Sequence, residues 1–212
     1  MPKQFQETRE DVLLRAIADI KLAALVVSNE NIEAAHVPMV ATQNANGDLV
    51  LQSHVARPNP IWRMAGEGCQ ALAIFQGPQA YIHPGWFPAK REHGKAVPTW
   101  NYIAVHVHGR LSSTDDPDWL RRHLDHLTEQ NEVGRPAPWA VSDAPPSFIE
   151  TLLGAIVGLE LLPERIEGAW KMLQHHPDAN RLGVIDGLSH SNSSQDRIVA
   201  EVMSGLERSR QR

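Results

Sequence analysis

The apolar residues follow two periods along the chain, and these periods separate predicted helices from predicted strands. Residues 8–20 and the segment from Asp116 to about Gln130 carry an apolar stripe at helical spacing. Asp116 predicts a helix cap, and Pro117 suits the first helical turn after it. Asn46-Gly47 predicts a hairpin, because both residues tolerate positive φ. Short apolar runs, the first two separated by a turn at Asn29–Asn31, predict strands over Leu22–Ser28, Ile32–Thr42 and Asp48–Val55.

The middle of the chain predicts further strands on either side of a long loop. Two strand pieces, Gln70–Gln76 and Gln79–His83, are separated at Gly77-Pro78. Residues 84–98 follow, and their prolines and glycines predict a loop without structure of its own. Thr99–Ser113 alternates strictly and predicts the clearest strand, with Asn101 on the face opposite the histidines of that strand.

The second half of the chain predicts mostly helices. Segments 147–154, 178–188 and 194–209 are predicted helical, and 155–162 and 167–174 are predicted strands. Six or more strands joined mostly by hairpins predict an α+β fold, mainly β with α, in which an antiparallel barrel carries peripheral helices. We expect residues 1–175 to form the barrel domain, with inserted helices at about 117–154, and residues 176–212 to form a helical extension packed on the barrel or on a partner.

Composition excludes several classes of protein. The chain has 212 residues, 42% of them hydrophobic, and a net charge of −5, which is typical of a globular domain. Its one cysteine, Cys69, cannot form an internal disulfide, and this fits a reducing cytoplasm. We expect no secretory leader, no membrane span and no surface that grips nucleic acid over its whole extent.

The charge is unevenly distributed. The segment from His54 to Arg110 contains six basic residues and two acidic ones, so it carries a net charge of +4 within an acidic chain. Residues 84–98 combine lysine and arginine with tryptophan, and cations beside flat apolar rings suit a phosphorylated aromatic ligand such as FMN or a nucleotide. Alternatively, the tryptophans only clamp one end of the barrel. Arg57, at the entry to a short helix, predicts a second anion contact.

Several segments resemble the PaiB family of FMN-binding negative transcriptional regulators, from Pro2 to about residue 188. They are Ala35-His36-Val37-Pro38, Ser53–Trp62, Phe75–Ile82 and, as the longest, Lys90–Tyr102. The resemblance implies a split β-barrel, FMN as cofactor, and a cytoplasmic bacterial homodimer that holds the flavin between its subunits.

The same resemblance implies the site residues. His54, Arg57 and Asn59 would lie near the phosphate, and Lys95, Thr99, Trp100 and Asn101 would line the flavin. The remaining predicted cofactor contacts are Lys90, Arg91, Lys171 and Gln174. After the last strand this chain departs from the family pattern, since Leu173, His175 and His176 stand where a serine, an asparagine and an arginine are expected.

Other chemistries have weaker support in the sequence. Eleven histidines raise the alternative of metal or haem, but the spacing that structural zinc requires does not occur. We predict that His106 and His108 are half-buried strand residues and that His123 and His126 pack on a helix. The motif Gly-x-Ser-x-Gly, which would indicate a nucleophilic serine, is absent from the sequence. In the last helix, glutamates interrupt the arginines, so a direct DNA contact is doubtful.

Three functions therefore stay open. The favoured one is an FMN-binding regulator, the second is an FMN-dependent oxidoreductase using the same pocket, and the third is a barrel that has lost its flavin and acts as a scaffold. Whether the protein is an enzyme is left undecided, and we name no general acid or base.

Overall fold

The structure, a computed structural model, describes residues 2–28, 31–66 and 68–210. The strands are β1 (Gln6–Glu7), β2 (Leu22–Ser28), β3 (Ile32–Pro38), β4 (Val40–Gln43), β5 (Leu49–Ala56), β6 (Cys69–Ile82), β7 (Thr99–Thr114) and β8 (Ile156–Lys171). The helices are α1 (Glu10–Ile20), α2 (Ile61–Ala65), α3 (Pro88–His93), α4 (Pro117–Glu132), α5 (Pro146–Leu153), α6 (Asp178–Ser189) and α7 (Ser194–Arg210). The predicted α+β class is therefore confirmed.

The strands form one sheet in the order β3-β2-β6-β7-β8-β5-β4, with β1 paired to β8. The chain folds into two compact units, and each of β6, β7 and β8 supplies residues to both. Unit 1 consists of residues 2–9, 76–105 and 167–210, and unit 2 consists of 10–28, 31–66, 68–75 and 106–166. None of the described helices is long and apolar enough to cross a membrane.

Unit 2 contains the hairpins. β2 pairs antiparallel with β3 and with β6, and β5 pairs with β4 and with β8. The predicted hairpin at Asn46-Gly47 is confirmed, because Gly47 has φ +85° and the Asn44 side chain accepts hydrogen bonds from the N–H groups of Asn46 and Asp48. The predicted cap of α4 is also confirmed, since the Asp116 carboxylate accepts from the Asp118 N–H at 3.0 Å. Asn29 and Glu30 of the predicted turn lie outside the described residues.

Unit 1 has its own core where α6 and α7 pack on the strand ends. Its buried residues come from β6, the segment just before α3, β7, the turn after β8 and the two helices, and include Ile82, Phe87, Ile103, Met172, Val184, Leu188, Val199 and Met203. The apolar stripe of the last helix is thus buried within this unit.

Three predicted strand boundaries were wrong. β6 runs without a break through Gly77-Pro78, because the bare Gly77 backbone lies close to the Ile103 side chain, where a Cβ would approach to 3.1 Å. β8 is likewise one strand over the two predicted pieces. Conversely, the single strand predicted for Ile32–Thr42 is divided at Met39, whose N–H leaves the ladder to donate to Lys21 O at 2.8 Å.

The prediction that residues 84–98 lack structure was also wrong. Pro84–Trp86 form a 3-10 turn and α3 follows at Pro88. Both prolines stand in a first helical turn, where a missing N–H costs nothing, and Gly94 ends α3 in the left-handed conformation at φ +71°. The residues that predicted a loop are the start and stop signals of two short helices.

Candidate functional site

Unit 1 contains a cleft of about 340 Å³ whose lining includes positively charged side chains. Among the described residues that line it, two are lysines, two are histidines and none is a carboxylate. The predicted residues Lys95, Thr99 and Lys171 all lie here, together with Phe5, Phe87, Val97, Pro98, His175, His176 and Asn180. The chain as a whole is acidic, but the two lysines make this cleft locally positive.

Lys171 is the fixed cation of the cleft. It ends β8, and its Nζ donates to Thr99 Oγ1 at 2.6 Å and to Trp100 O at 2.8 Å, which ties it to the start of β7. Burial lowers the pKa of Lys171 from its usual value. An ammonium group that is partly desolvated and already oriented by two hydrogen bonds can bind an anion with little rearrangement. Lys95, by contrast, is exposed.

Aromatic and apolar groups form the other part of the cleft. Phe87 is buried and stacks on His176 with ring centroids 5.3 Å apart and an interplanar angle of 14°. Phe5 meets His175 edge-on at 5.4 Å. Val97 and Pro98 add apolar surface from the segment before β7. A ligand with a flat ring and a negative group would find a matching surface for each.

Three predicted residues of unit 1 lie beside the cleft without lining it. Trp100 points its ring at Tyr81, with centroids 5.9 Å apart. Asn101 is fully buried, and its Nδ2 lies 3.2 Å from Met203 Sδ. Gln174 closes the turn after β8 by accepting from the Met172 N–H and donating to Trp170 O. Asn101 and Gln174 thus support the walls of unit 1.

Lys90 and Arg91 lie on α3, which is anchored to α6. The Trp86 ring lies over Gly187, where a Cβ would come within 2.5 Å of the ring, and the Trp86 carbonyl lies over Gly183. The Ala89 N–H points to Asn180 Oδ1. The two glycines of α6 therefore form a packing surface, here called the seat of Trp86, for the segment that leads to Lys95.

Gly187→Ala is expected to lower the free energy of unfolding by about 1–3 kcal/mol, because the new methyl displaces Trp86. The matched control is Gly205→Ala on α7, where the only contact within 4 Å is the end of the Arg208 side chain. That change should stabilise by about 0.5–1 kcal/mol through helix propensity. Urea denaturation measures both, and a stabilised Gly187→Ala protein would contradict the seat.

The predicted phosphate contacts of the 54–60 segment lie in unit 2, where their side chains already have partners. Arg57 donates from Nε to Gly154 O at 3.0 Å and from Nη2 to Ile156 O at 3.1 Å. Asn59 Oδ1 accepts from the Ile61 N–H and so orders the start of α2. His54 Nδ1 is 3.0 Å from His123 Nε2.

The His54–His123 pair belongs to the interior of unit 2. His123 is buried, as predicted, and stacks on Trp119 at 5.2 Å. Burial, followed by the nearby His54 and His126, lowers the pKa of His123 to about 3, and burial lowers the pKa of His54 as well. Both rings are therefore neutral at neutral pH, so one nitrogen of the pair donates and the other accepts.

Sequence reasoning missed part of the site. Phe5 and Asn180 carried no recognisable signal, because each reaches the cleft from a different part of the chain, and Phe87 was visible only as one aromatic residue of the 84–98 segment. His175 and His176 were visible only as a departure from a family pattern. The described residues contain no group of three or more ligands arranged for a metal, and His106 and His108 are half-buried strand residues, as predicted.

The residues of the cleft fit FMN. Its cations match a phosphate, its apolar and aromatic side chains match an isoalloxazine ring, and its volume lies within the usual range of ligand pockets. Among the described residues that line the cleft, none is a carboxylate that would repel the phosphate.

Comparison with solved structures defines the fold class. The chain resembles the FAD and heme binding protein from Mycobacterium smegmatis with a TM-score of 0.58 at 19% identity, over 78% of this chain and 73% of that one. The chain is thus an α+β protein of the split-barrel class, as predicted.

Residues 1–165 match the sequence model of the family described as "Putative FMN-binding domain", and the chain belongs to that family. It is 30% identical to the protease synthase and sporulation protein PAI 2 of Bacillus subtilis (strain 168), over 96% of this chain and 95% of the relative. An uncharacterised protein of the fungus Emericella nidulans is 29% identical over 93% of each chain. The predicted PaiB-like family and its FMN cofactor are confirmed, and the relatives include bacterial and fungal proteins.

Proposed function

We propose that this protein binds FMN in the cleft of unit 1 and acts as a flavin-responsive, PaiB-like negative regulator in the cytoplasm. The observation that carries the proposal is the cleft itself, whose described lining joins Lys95, Lys171 and two histidines to aromatic side chains and includes no carboxylate. Direct contact with DNA is not part of the proposal.

The phosphate is proposed to lie between Lys95 and Lys171. Lys171 uses two of its three ammonium protons on Thr99 and on Trp100 O, and the third is left for the ligand. Lys95 is exposed and lines the same cleft, so it can close on the phosphate after it enters. The flavin ring is proposed to lie along Phe87, Val97 and Pro98. The bound flavin would supply redox chemistry, and the protein residues orient it.

A homodimer is proposed from the surface around the cleft. Val97 is 75% exposed although it lines the cleft, and the neighbouring Trp100 and Tyr81 are 52% and 46% exposed. Apolar side chains of this size cluster on a surface mainly where a partner or ligand covers them. A second copy covering them would shield the flavin from water.

Lys95→Ala is expected to weaken FMN binding about tenfold to a hundredfold, because it removes one charge-assisted hydrogen bond to the phosphate. Arg15→Ala is the matched control, since this exposed cation lies on α1 in unit 2 and does not line the cleft. Titration followed by quenching of flavin fluorescence gives both dissociation constants. Equal constants for the two variants would place the phosphate elsewhere.

The predicted roles of His54, Arg57, Asn59, Lys90 and Arg91 remain predictions, and Arg57→Ala tests the most specific of them. Weaker FMN binding by a folded Arg57→Ala protein would support a phosphate contact from unit 2. Bleaching of bound FMN by NADH or NADPH would favour the oxidoreductase, and failure to bind FMN at all would favour the scaffold.

A further inference from the structure

Two adjacent histidines form part of the cleft wall at the end of β8. The His175 and His176 rings meet edge-on with centroids 4.4 Å apart. Phe5 supports the first ring and Phe87 supports the second, at 5.4 and 5.3 Å. Both histidines line the same cleft as Lys95 and Lys171. The pair is therefore held in place by packing and faces the space proposed for FMN.

The backbone of the pair is also fixed. The His176 N–H donates to Leu173 O at 2.9 Å, in a turn where Leu173 has a φ of +61°. The Arg181 guanidinium donates to His176 O. The turn is therefore held at both ends, and this fixes the backbone that carries the two imidazoles.

The charged groups around the pair are mostly cationic. Those that face it or its turn are Lys95 and Lys171 in the cleft, Arg181 with its partner Asp178 on α6, and Glu207 and Arg210 on α7. Both carboxylates are bonded to Arg181, at 2.7 and 2.6 Å, and are not directed into the cleft. Burial, then His175 and Arg181, hold the pKa of His176 below its ordinary value.

We propose that His175 and His176 form a protonation-dependent part of the phosphate site, which selects phosphorylated flavin over riboflavin and binds FMN more tightly as the pH falls. The inference rests on the proposed function and adds the role of these two residues. A phosphate placed among four nitrogen side chains offsets the repulsion between the imidazolium ions, so binding and proton uptake favour each other.

The direction of the pH effect follows from this coupling. In the free protein, burial and the neighbouring cations oppose protonation of His176. In the complex the phosphate favours protonation, which raises the histidine pKa. Affinity for FMN therefore increases as the pH falls through the pKa of the bound state, and it levels off below that of the free state. Riboflavin lacks the phosphate and is expected to show no such gain.

The test is FMN and riboflavin titration of the full chain between about pH 8 and pH 6. The second pKa of the FMN phosphate, at about 6, lies at the lower end of this range, and the double variant described next measures that contribution alone. We expect FMN affinity to rise about tenfold over this range and riboflavin affinity to stay level. The variant His175→Gln/His176→Gln keeps polar side chains but cannot titrate, and its FMN affinity should stay near the value of the original protein at pH 8. His190→Gln, an exposed histidine after α6, is the matched control and should keep the full pH dependence.

The outcomes separate this inference from the proposed function. If FMN binds with the same affinity at both pH values, or if the double variant keeps the tenfold rise, the histidine pair has no part in phosphate binding. If neither flavin binds at any pH, the proposed function fails instead. Thermal unfolding of each variant without ligand shows whether the fold is intact. If the double variant is unfolded, the single change His175→Gln at an exposed position replaces it. The inference then requires that this variant shows a smaller increase of FMN affinity between pH 8 and pH 6.

Discussion

Replacing Arg181 by alanine is expected to lower the free energy of unfolding by about 3–5 kcal/mol. The side chain is 5% exposed and joins α6 to α7 through two bonds to the Glu207 carboxylate, at 2.6 and 2.9 Å. It also holds His176 O and Asp178. Its removal leaves the poorly exposed Glu207 carboxylate without its main partner, which costs more than the pair itself contributes. Urea denaturation measures the loss.

Arg15→Ala is the control for the loss of an arginine as such. Arg15 pairs with Asp11 at 3.4 Å, and both side chains are 70% exposed, so the change should alter stability by no more than about 0.5 kcal/mol. A loss below about 1 kcal/mol for Arg181→Ala would show that the Arg181–Glu207 pair does not stabilise unit 1. The prediction also bears on function, because the same guanidinium holds the turn that carries His176.

The second large effect concerns acid stability and originates in unit 2. The folded-state pKa of His123 is about 3, against 6.5 for an ordinary histidine. The unfolded chain therefore takes up a proton first as the pH falls, and stability is lost from about pH 6.5 downward until the folded state is protonated near pH 3. Between pH 7 and pH 4 this one group should remove about 3 kcal/mol of stability.

His123→Gln isolates that contribution. The variant is less stable at pH 7, because it loses the stacking on Trp119, but its stability should fall less steeply below pH 6.5. Acidic groups such as Glu207 also lose favourable interactions in acid, and they do so equally in both proteins. His126→Gln, at an exposed position of the same helix, should keep most of the original profile. Parallel pH profiles for His123→Gln and the original protein would contradict the buried neutral imidazole.

Local sequence patterns predicted the elements correctly where the backbone conformation depends on residues that are near in sequence. The alternation of β7, the Asn46-Gly47 hairpin and the Asp116 cap were all correct, because each depends on torsion angles and hydrogen bonds within a few residues. Errors arose where a distant side chain decides. Gly77 stays in a strand because Ile103 packs across it, and glycine and proline near residue 84 cap short helices that rest on α6.

The sequence by itself determined the composition of the site: a basic, aromatic segment at 84–98 and a second predicted anion contact at Arg57, enough to indicate a phosphorylated aromatic ligand. Only the tertiary structure decided which of these residues meet. Lys171 lies 72 positions from Thr99 and reaches it because Lys171 ends β8 and Thr99 begins the neighbouring β7, whereas Asn101, one residue beyond Trp100, faces the buried side of β7. Side-chain chemistry is local information, but strand order and pleat are set by burial over the whole chain, so the identity of the ligand could be predicted before its contacts.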